Sequence, residues 1–260
     1  MGQDAVAARK RIEILDAVRG IAILAMVVYH ALYDINDVFG FQIRLFNMLS
    51  VLEPPFAGAF ILLAGVSCRF SHNNYKRAEK VLVLAAVVTA ATVLISAYIA
   101  PGESIYFGIL HFMGFAILLW ALLGRALDKI PRRVAWPLWA LLFIVTFVMP
   151  ATYFVGIPHL IGFYLPSQLT SQGWLFALGV PDSTFVSADY FPMIPWFFLF
   201  MLGTLIGIPI KEHRLPKRFY TQRVPFFAFL GRHTLLIYIL HQPIVFGILW
   251  MLTHVLKINL

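Results

Sequence analysis

The chain has 260 residues, of which 61% are hydrophobic and 12% are charged, and its formal net charge is +8. Soluble domains average roughly 45–50% apolar and about 25% charged residues, so a soluble globule of this length could not bury so much apolar surface. The same composition excludes a disordered chain, and the single cysteine, Cys68, excludes an intrachain disulfide scaffold. These exclusions leave a polytopic membrane protein.

Seven stretches are long and apolar enough to be transmembrane helices, which need roughly 20 mostly apolar residues. In chain order they are about 13–35, 46–68, 81–100, 105–124, 133–150, 194–210 and 226–252. We therefore predict an all-α bundle of about seven transmembrane helices, forming one integral-membrane domain over residues 1–260.

The basic residues are concentrated in four segments, which together hold 16 of the 20 lysines and arginines. These segments are 9–11, 69–80, 125–133 and 211–223. When the predicted spans alternate in direction, all four fall on one side of the membrane, as the positive-inside rule requires of the cytoplasmic side. The amino terminus is therefore predicted to be cytoplasmic, and the charge does not indicate binding to nucleic acid.

The longest connection on the opposite side, residues 151–193, contains no lysine or arginine and is rich in proline and aromatic residues. We name it the outer cap and predict that it is structured, with a re-entrant piece at 158–178 as one arrangement. A long loop of this kind is often functional. The alternative is that its Trp and Tyr residues only anchor the chain at the membrane interface.

The first span carries four ionisable residues, Asp16, Arg19, His30 and Asp34. Charged groups inside a span are costly, about 2.5–3.5 kcal/mol each at the helix centre on insertion scales, and they usually face a cavity or a partner. Arg19 and His30 lie 11 residues apart, so they share one helix face about 16 Å apart along the axis. Asp16 could brace Arg19, and Asp34 could brace His30. Alternatively, Arg19 snorkels to the cytoplasmic interface and His30 is a satisfied packing residue.

Other predicted spans and the outer cap also place polar residues in the outer half of the membrane. These are Glu53, His111, Asp189 and His241. Pro54 and Pro55 should break the second span locally beside Glu53. If the spans bundle, these residues converge with His30, although each of them alone could be a packing residue. The sequence contains no motif with the ligand spacing of a metal site, so no metal is predicted.

This distribution suits a substrate with an anionic head and a long arm. The head would stay on the basic cytoplasmic side, while the reactive end would reach a general base in the outer half of the membrane. A neutral imidazole can activate a hydroxyl or an amine near neutral pH. The pattern therefore favours transfer of an acyl group from a cytoplasmic thioester to an acceptor outside.

The segment from Leu15 to His30, LDAVRGIAILAMVVYH, resembles the first-span signature of the heparan-α-glucosaminide N-acetyltransferase-like catalytic domain family, in the transmembrane acyltransferase superfamily. The spacing of Arg19 and His30 also resembles acyltransferase family three, where the matching residues are essential. Further matches are spread along nearly the whole chain, at 58–67, 109–111, 189–196 and 231–243.

The resemblance implies acetyl-CoA or another acyl-CoA as donor and a sugar-like glycan or glycolipid as acceptor. By position, His30 would be the catalytic base, with Asp34, Glu53 and His111 as further catalytic candidates. Donor-binding candidates are Arg19, Arg232 and His241, and acceptor-binding candidates are Asp189 and Trp196. We expect a multi-pass protein of a bacterial cytoplasmic membrane, and a homodimer is compatible with the sequence.

Two rival functions remain at this point. Glu53, His30 and His111 could form the proton relay of a proton-coupled transporter, although the sequence shows no paired inverted halves. The second rival function is that of a non-catalytic membrane partner, in which the polar residues only join the helices. For the acyltransferase itself, direct transfer is preferred over an acyl-histidine intermediate, which the sequence does not exclude.

Overall fold

The computed structural model describes residues 12–41, 46, 53–98 and 102–255, with Glu53 and Val255 described by their backbone alone. Helices dominate this part of the chain. The main helices are α1 (Glu13–Tyr33), α2 (Glu53–Cys68), α3 (Asn74–Tyr98), α4 (Ile109–Leu127), α5 (Arg132–Thr146), α8 (Met193–Lys211), α10 (Pro225–Arg232) and α11 (Thr234–Trp250). Short elements between them are α6 (Met149–Thr152), β1 (Phe154–Ile157), β2 (Ile161–Tyr164), α7 (Ser167–Thr170) and α9 (Lys217–Thr221). Single π-helical turns follow α1 at Asp34–Val38 and α11 at Met251–Val255.

Six helical segments of the described chain are long and apolar enough to cross a membrane. They are Glu13–Val38, Asn74–Tyr98, Ile109–Leu127, Arg132–Thr152, Met193–Lys211 and Thr234–His254, and Pro54–Cys68 is a shorter apolar helix. The predicted all-α polytopic bundle is therefore confirmed. The second predicted span, 46–68, lies partly outside the described residues.

The last predicted span, 226–252, is wrong as a single helix, because the chain leaves helical geometry at His233, between α10 and α11. The Thr234 hydroxyl donates a hydrogen bond to the Gly231 carbonyl at 2.7 Å. Gly and Thr are weak helix formers, and a side chain that binds a nearby carbonyl competes with the helical ladder. Apolar composition alone does not reveal this interruption.

The prolines of the second span lie in the first turn of the described helix, since α2 begins at Glu53. Proline is tolerated in a first turn because the N–H that it lacks would have no helical partner there. Residues 47–52 lie outside the described ones, so the predicted break beside Glu53 stays a prediction. The Glu53 side chain lies outside the described residues.

The outer cap is structured, as predicted. Strands β1 and β2 form an antiparallel hairpin in which Phe154 faces Tyr164. The segment 158–178 forms the hairpin turn, β2, α7 and a 3-10 helix at Gly173–Leu178, so it contains no long re-entrant helix. The Tyr190 hydroxyl donates to the Phe176 carbonyl at 2.6 Å, which ties the end of the cap to that 3-10 helix.

The chain divides into two compact units, Met1–Phe60 with His213–Leu260 and Ile61–Glu212. In the second unit, ion pairs link the basic segments 69–80, 125–133 and 211–223. Arg69 binds Asp128 at 2.6 Å, and Arg132 binds Glu212 at 3.0 Å. Segment 9–11 lies outside the described residues, and the placement of all four basic segments on one side stays a prediction. The prediction of a single domain stays a prediction.

Candidate active site

The first unit brings α1 and α10 into backbone contact through two glycines. A Cβ atom on Gly20 of α1 would collide with the Phe227 carbonyl of α10, and one on Gly231 of α10 would collide with the Asp16 carbonyl of α1. Small residues at helix crossings in membranes allow such close approach. The crossing fixes the amino-terminal half of α1, where Arg19 lies.

The crossing also positions an ion pair on α1. Asp16 is buried, and its Oδ1 accepts a hydrogen bond from Arg19 Nη1 at 2.6 Å. The predicted pairing of these two residues is therefore confirmed. The Arg19 side chain is still 24% exposed, so its guanidinium is braced without being sealed from other ligands.

Arg19 and His30 lie on the face of α1 opposite an exposed apolar stripe. Ile21, Leu24 and Val28 are 42–47% exposed, as expected of side chains that meet lipid. At about 100° per residue, this stripe is roughly half a turn away from Arg19 and His30. Both of these polar residues are half-buried, so their shared face is turned toward the protein.

His30 is adjacent to a second histidine, His241 of α11, with 5.1 Å between the two ring centroids. His241 Nδ1 lies 2.6 Å from the Tyr238 carbonyl oxygen, and because a carbonyl can only accept, Nδ1 carries the proton. The other nitrogen, Nε2, is buried and has no hydrogen-bond partner among the described residues. A neutral His241 therefore holds an unused lone pair beside His30.

Asp34 lies one helical turn beyond His30, at the start of the π-helical turn, and is completely buried. Its Oδ1 accepts a hydrogen bond from Gln242 Nε2 at 2.7 Å. The Asp34 N–H donates to the His30 carbonyl as part of the helix, and the bracing of the His30 ring by the Asp34 carboxylate stays a prediction. Through Gln242, Asp34 links the end of α1 to the residue after His241, and this link keeps the two histidines side by side.

His111, in the second unit, has both ring nitrogens occupied. The Gly108 N–H donates to Nδ1 at 3.3 Å, so Nε2 carries the proton and donates to Thr89 Oγ1 at 3.1 Å. The Thr89 hydroxyl in turn donates to the Ile105 carbonyl at 2.7 Å. The His111 ring thus caps the start of α4, because it satisfies a backbone N–H that the helix cannot.

Asp189 acts at the same helix start, because its Oδ2 accepts the Ile109 N–H at 2.9 Å. A carboxylate is favourable at the positive end of α4. The structure thus brings the predicted residues His111 and Asp189 together. Trp196, the other predicted acceptor residue, is half-buried and packs against the rings of Phe191, Phe143 and Phe147.

The remaining sequence candidates are Arg232 and Glu53. Arg232 is exposed and is the last residue of α10, one position after the Gly231 contact with α1. The Glu53 side chain lies outside the described residues, so its assignment stays a prediction. Among the described residues no group of three or more His, Cys, Asp or Glu side chains could hold a metal ion.

A family model described as the catalytic domain of heparan-alpha-glucosaminide N-acetyltransferase matches residues 11–243. The chain belongs to this family. The resemblance found in the sequence is therefore confirmed, and the protein is by family a membrane acetyltransferase. The matched region contains Arg19, His30, Asp34, His241 and Gln242. No curated protein and no solved structure matches the chain.

Sequence reasoning missed Gln242, and it named His241 both among the residues expected to converge with His30 and as a donor-binding candidate. A signal was present, because His241-Gln242-Pro243 ends one of the stretches that resemble the acetyltransferase family. Two adjacent polar residues within an apolar span are costly unless they find partners. Such a pair points to partners on another helix, here His30 and Asp34.

Proposed function

We propose that the protein transfers an acetyl or other acyl group from cytoplasmic acyl-CoA to a hydroxyl or amine of a sugar-like acceptor on the extracytoplasmic side. His30 is the general base. The observation that carries this proposal is the pair of adjacent imidazoles, in which the buried His241 Nε2 has no partner among the described residues. Buried polar atoms in folded proteins are nearly always hydrogen-bonded, and exceptions concentrate where chemistry is done.

In the transfer step, the acceptor oxygen or nitrogen attacks the thioester carbonyl carbon while His30 takes its proton. The new bond to carbon forms, the carbon–sulfur bond breaks, and the proton returns from His30 to the sulfur, which leaves as the thiol of CoA. The two imidazoles should not be cationic at the same time, because like charges this close repel. A neutral His241, held through Nδ1 by the Tyr238 carbonyl, can therefore stabilise the His30 imidazolium through its Nε2 lone pair.

The donor is assigned to the cationic residues of the first unit. Arg19, braced by Asp16, and the exposed Arg232 carry fixed positive charges that suit the phosphates of CoA. Asp189 of the outer cap and Trp196 of α8 remain the predicted acceptor residues, and Asp34 and Glu53 support the transfer site around His30. A bacterial cytoplasmic membrane with an envelope glycan or glycolipid as acceptor fits these assignments.

The test uses the full chain purified in detergent with acetyl-CoA and a panel of envelope glycans. Acetyl-CoA should raise the thermal unfolding midpoint, and release of the CoA thiol should require an acceptor. A transporter or a non-catalytic partner should show neither effect. Stabilisation without acceptor-dependent thiol release for any glycan, or thiol release that is equal without acceptor, would contradict transfer to a sugar.

A rapid-quench experiment separates direct transfer from a covalent route. The protein is mixed with radiolabelled acetyl-CoA in the absence of acceptor, quenched and digested. Direct transfer predicts no label on His30 or His241. Label retained on either peptide, and lost when acceptor is added, would replace direct transfer with an acyl-histidine intermediate.

A further inference from the structure

A cavity of about 590 Å³ opens in the second unit, among the ends of helices that meet the basic segments. This volume is typical of sites for small organic ligands. Five charged side chains line it: Arg69, Asp128, Arg132, Lys211 and Glu212. It uses none of the residues assigned to acyl transfer.

The cavity lining is charged at the mouth and mostly apolar along the rest of its length. On α5, Ala135 and Trp139 follow Arg132 at spacings of three and seven residues, which places all three on one helix face. On α8, Leu205 and Ile208 line the cavity on the side leading away from Lys211. By the helical rise, the lining runs about 10 Å from the charged mouth into the apolar interior. A small soluble anion would fill only the mouth.

Four of the five charged side chains at the mouth form two ion pairs, and one cation is outside them. Arg69 makes a two-pronged contact with Asp128, donates to the Thr204 carbonyl and lies over the Trp120 ring. Arg132 pairs with Glu212. Lys211 is exposed and forms no ion pair within the described part of the chain. The mouth therefore carries one net positive charge.

We propose that this cavity binds an anionic glycerophospholipid from the cytoplasmic leaflet. The single charge of a phosphodiester with an uncharged headgroup matches the net charge of the mouth, and Lys211 provides the principal contact to the phosphate. The start of an acyl chain lies against Trp139 and Leu205. A zwitterionic lipid brings no net charge and is bound more weakly.

The test measures the thermal midpoint of the full chain in detergent during titration with dioleoyl phosphatidylglycerol or dioleoyl phosphatidylcholine. The midpoint should rise and saturate with the first lipid and change little with the second. Lys211→Gln should weaken the apparent affinity for phosphatidylglycerol roughly fivefold, the effect of one cation near a lipid surface. Lys129→Gln is the matched control, because Lys129 is exposed in the same basic end but does not line the cavity.

Four results would overturn the proposal. These are an equal response to both lipids, an unchanged affinity in Lys211→Gln, equal protection by the deacylated headgroup glycerophosphoglycerol, and displacement of phosphatidylglycerol by acetyl-CoA. The third would indicate a soluble phosphodiester as ligand, and the fourth would assign the cavity to the donor. Lys211→Gln should keep acetyl transfer at the wild-type rate in saturating acyl-CoA, so failure here is distinguishable from failure of the transfer proposal.

Discussion

The histidines of the two units differ in how completely their ring nitrogens are used. His111, in the second unit, accepts from Gly108 and donates to Thr89. His241, in the first unit, uses one nitrogen on the Tyr238 carbonyl and keeps the other buried without a partner in the described chain. The His30 ring lies beside the rings of Tyr29 and His241.

This difference separates a structural role from a chemical one. A histidine with both nitrogens occupied has no lone pair for a substrate, and its loss should cost stability. A histidine pair with an unused nitrogen can take up and return a proton. The sequence predicts a similar depth in the membrane for His30, His111 and His241, so only their hydrogen bonds distinguish them.

Substitution of His30 tests the comparison most severely. His30→Ala should lower the rate of acetyl transfer by about 10²–10⁴-fold, the usual contribution of a general base, while acetyl-CoA still raises the thermal midpoint. The measurements are initial rates of thiol release and ligand-dependent unfolding in the same preparation. His254→Ala is the control, because His254 is exposed beyond the end of α11. A variant that transfers at the control rate would remove His30 from the base position.

Arg19 tests whether the same face of α1 serves the donor. Arg19→Ala should weaken acetyl-CoA binding about 10–100-fold, because a hydrogen bond to a charged group contributes about 1.5–3 kcal/mol. The thermal midpoint should be titrated with acetyl-CoA for this variant and for Asp16→Asn with Arg19 intact. Asp16→Asn keeps the cation and should change donor affinity less. Donor affinity that is unaltered in Arg19→Ala would break the link between Arg19 and the donor.

The sequence predicted the local features of α1 well. Its boundaries, the shared face of Arg19 and His30 and the Asp16–Arg19 pair follow from helical periodicity and from spacings of three or four residues. The membrane bundle follows from composition, which is likewise a local property of the chain.

The sequence did not predict which distant residues meet. His30 and His241 are more than 200 residues apart, and so are Asp34 and Gln242, so their contacts depend on how α11 packs on α1. The spacing of four residues favoured Asp34 as the partner of His30, whereas the structure gives its carboxylate a tertiary hydrogen bond from Gln242. The break at His233, which sets the start of α11, was also hidden within an apolar run.

His111 tests the other side of the comparison. His111→Ala should lower the free energy of unfolding by about 1–3 kcal/mol, because the Thr89 hydroxyl oxygen and the Gly108 N–H each lose a partner. Acetyl transfer at a temperature where the variant is folded should fall far less than in His30→Ala. Thermal unfolding with a transfer assay on the same sample checks both points. A loss of transfer equal to that of His30→Ala, at unchanged stability, would return His111 to the catalytic candidates.

The smallest expected effect concerns a structural hydrogen bond of the outer cap, from Tyr190 to the Phe176 carbonyl. Burial raises the pKa of the Tyr190 phenol above its usual value, so the folded protein keeps it neutral and donating to Phe176. Tyr190→Phe should cost about 1 kcal/mol of stability near neutral pH. Because the unfolded phenol ionises near pH 10, the wild-type advantage should be complete below that pH and should shrink as the pH rises above it. Unfolding of both proteins from pH 7 to 11 measures this difference, and an advantage that stays constant across the range would mean that the hydroxyl is not buried in the cap.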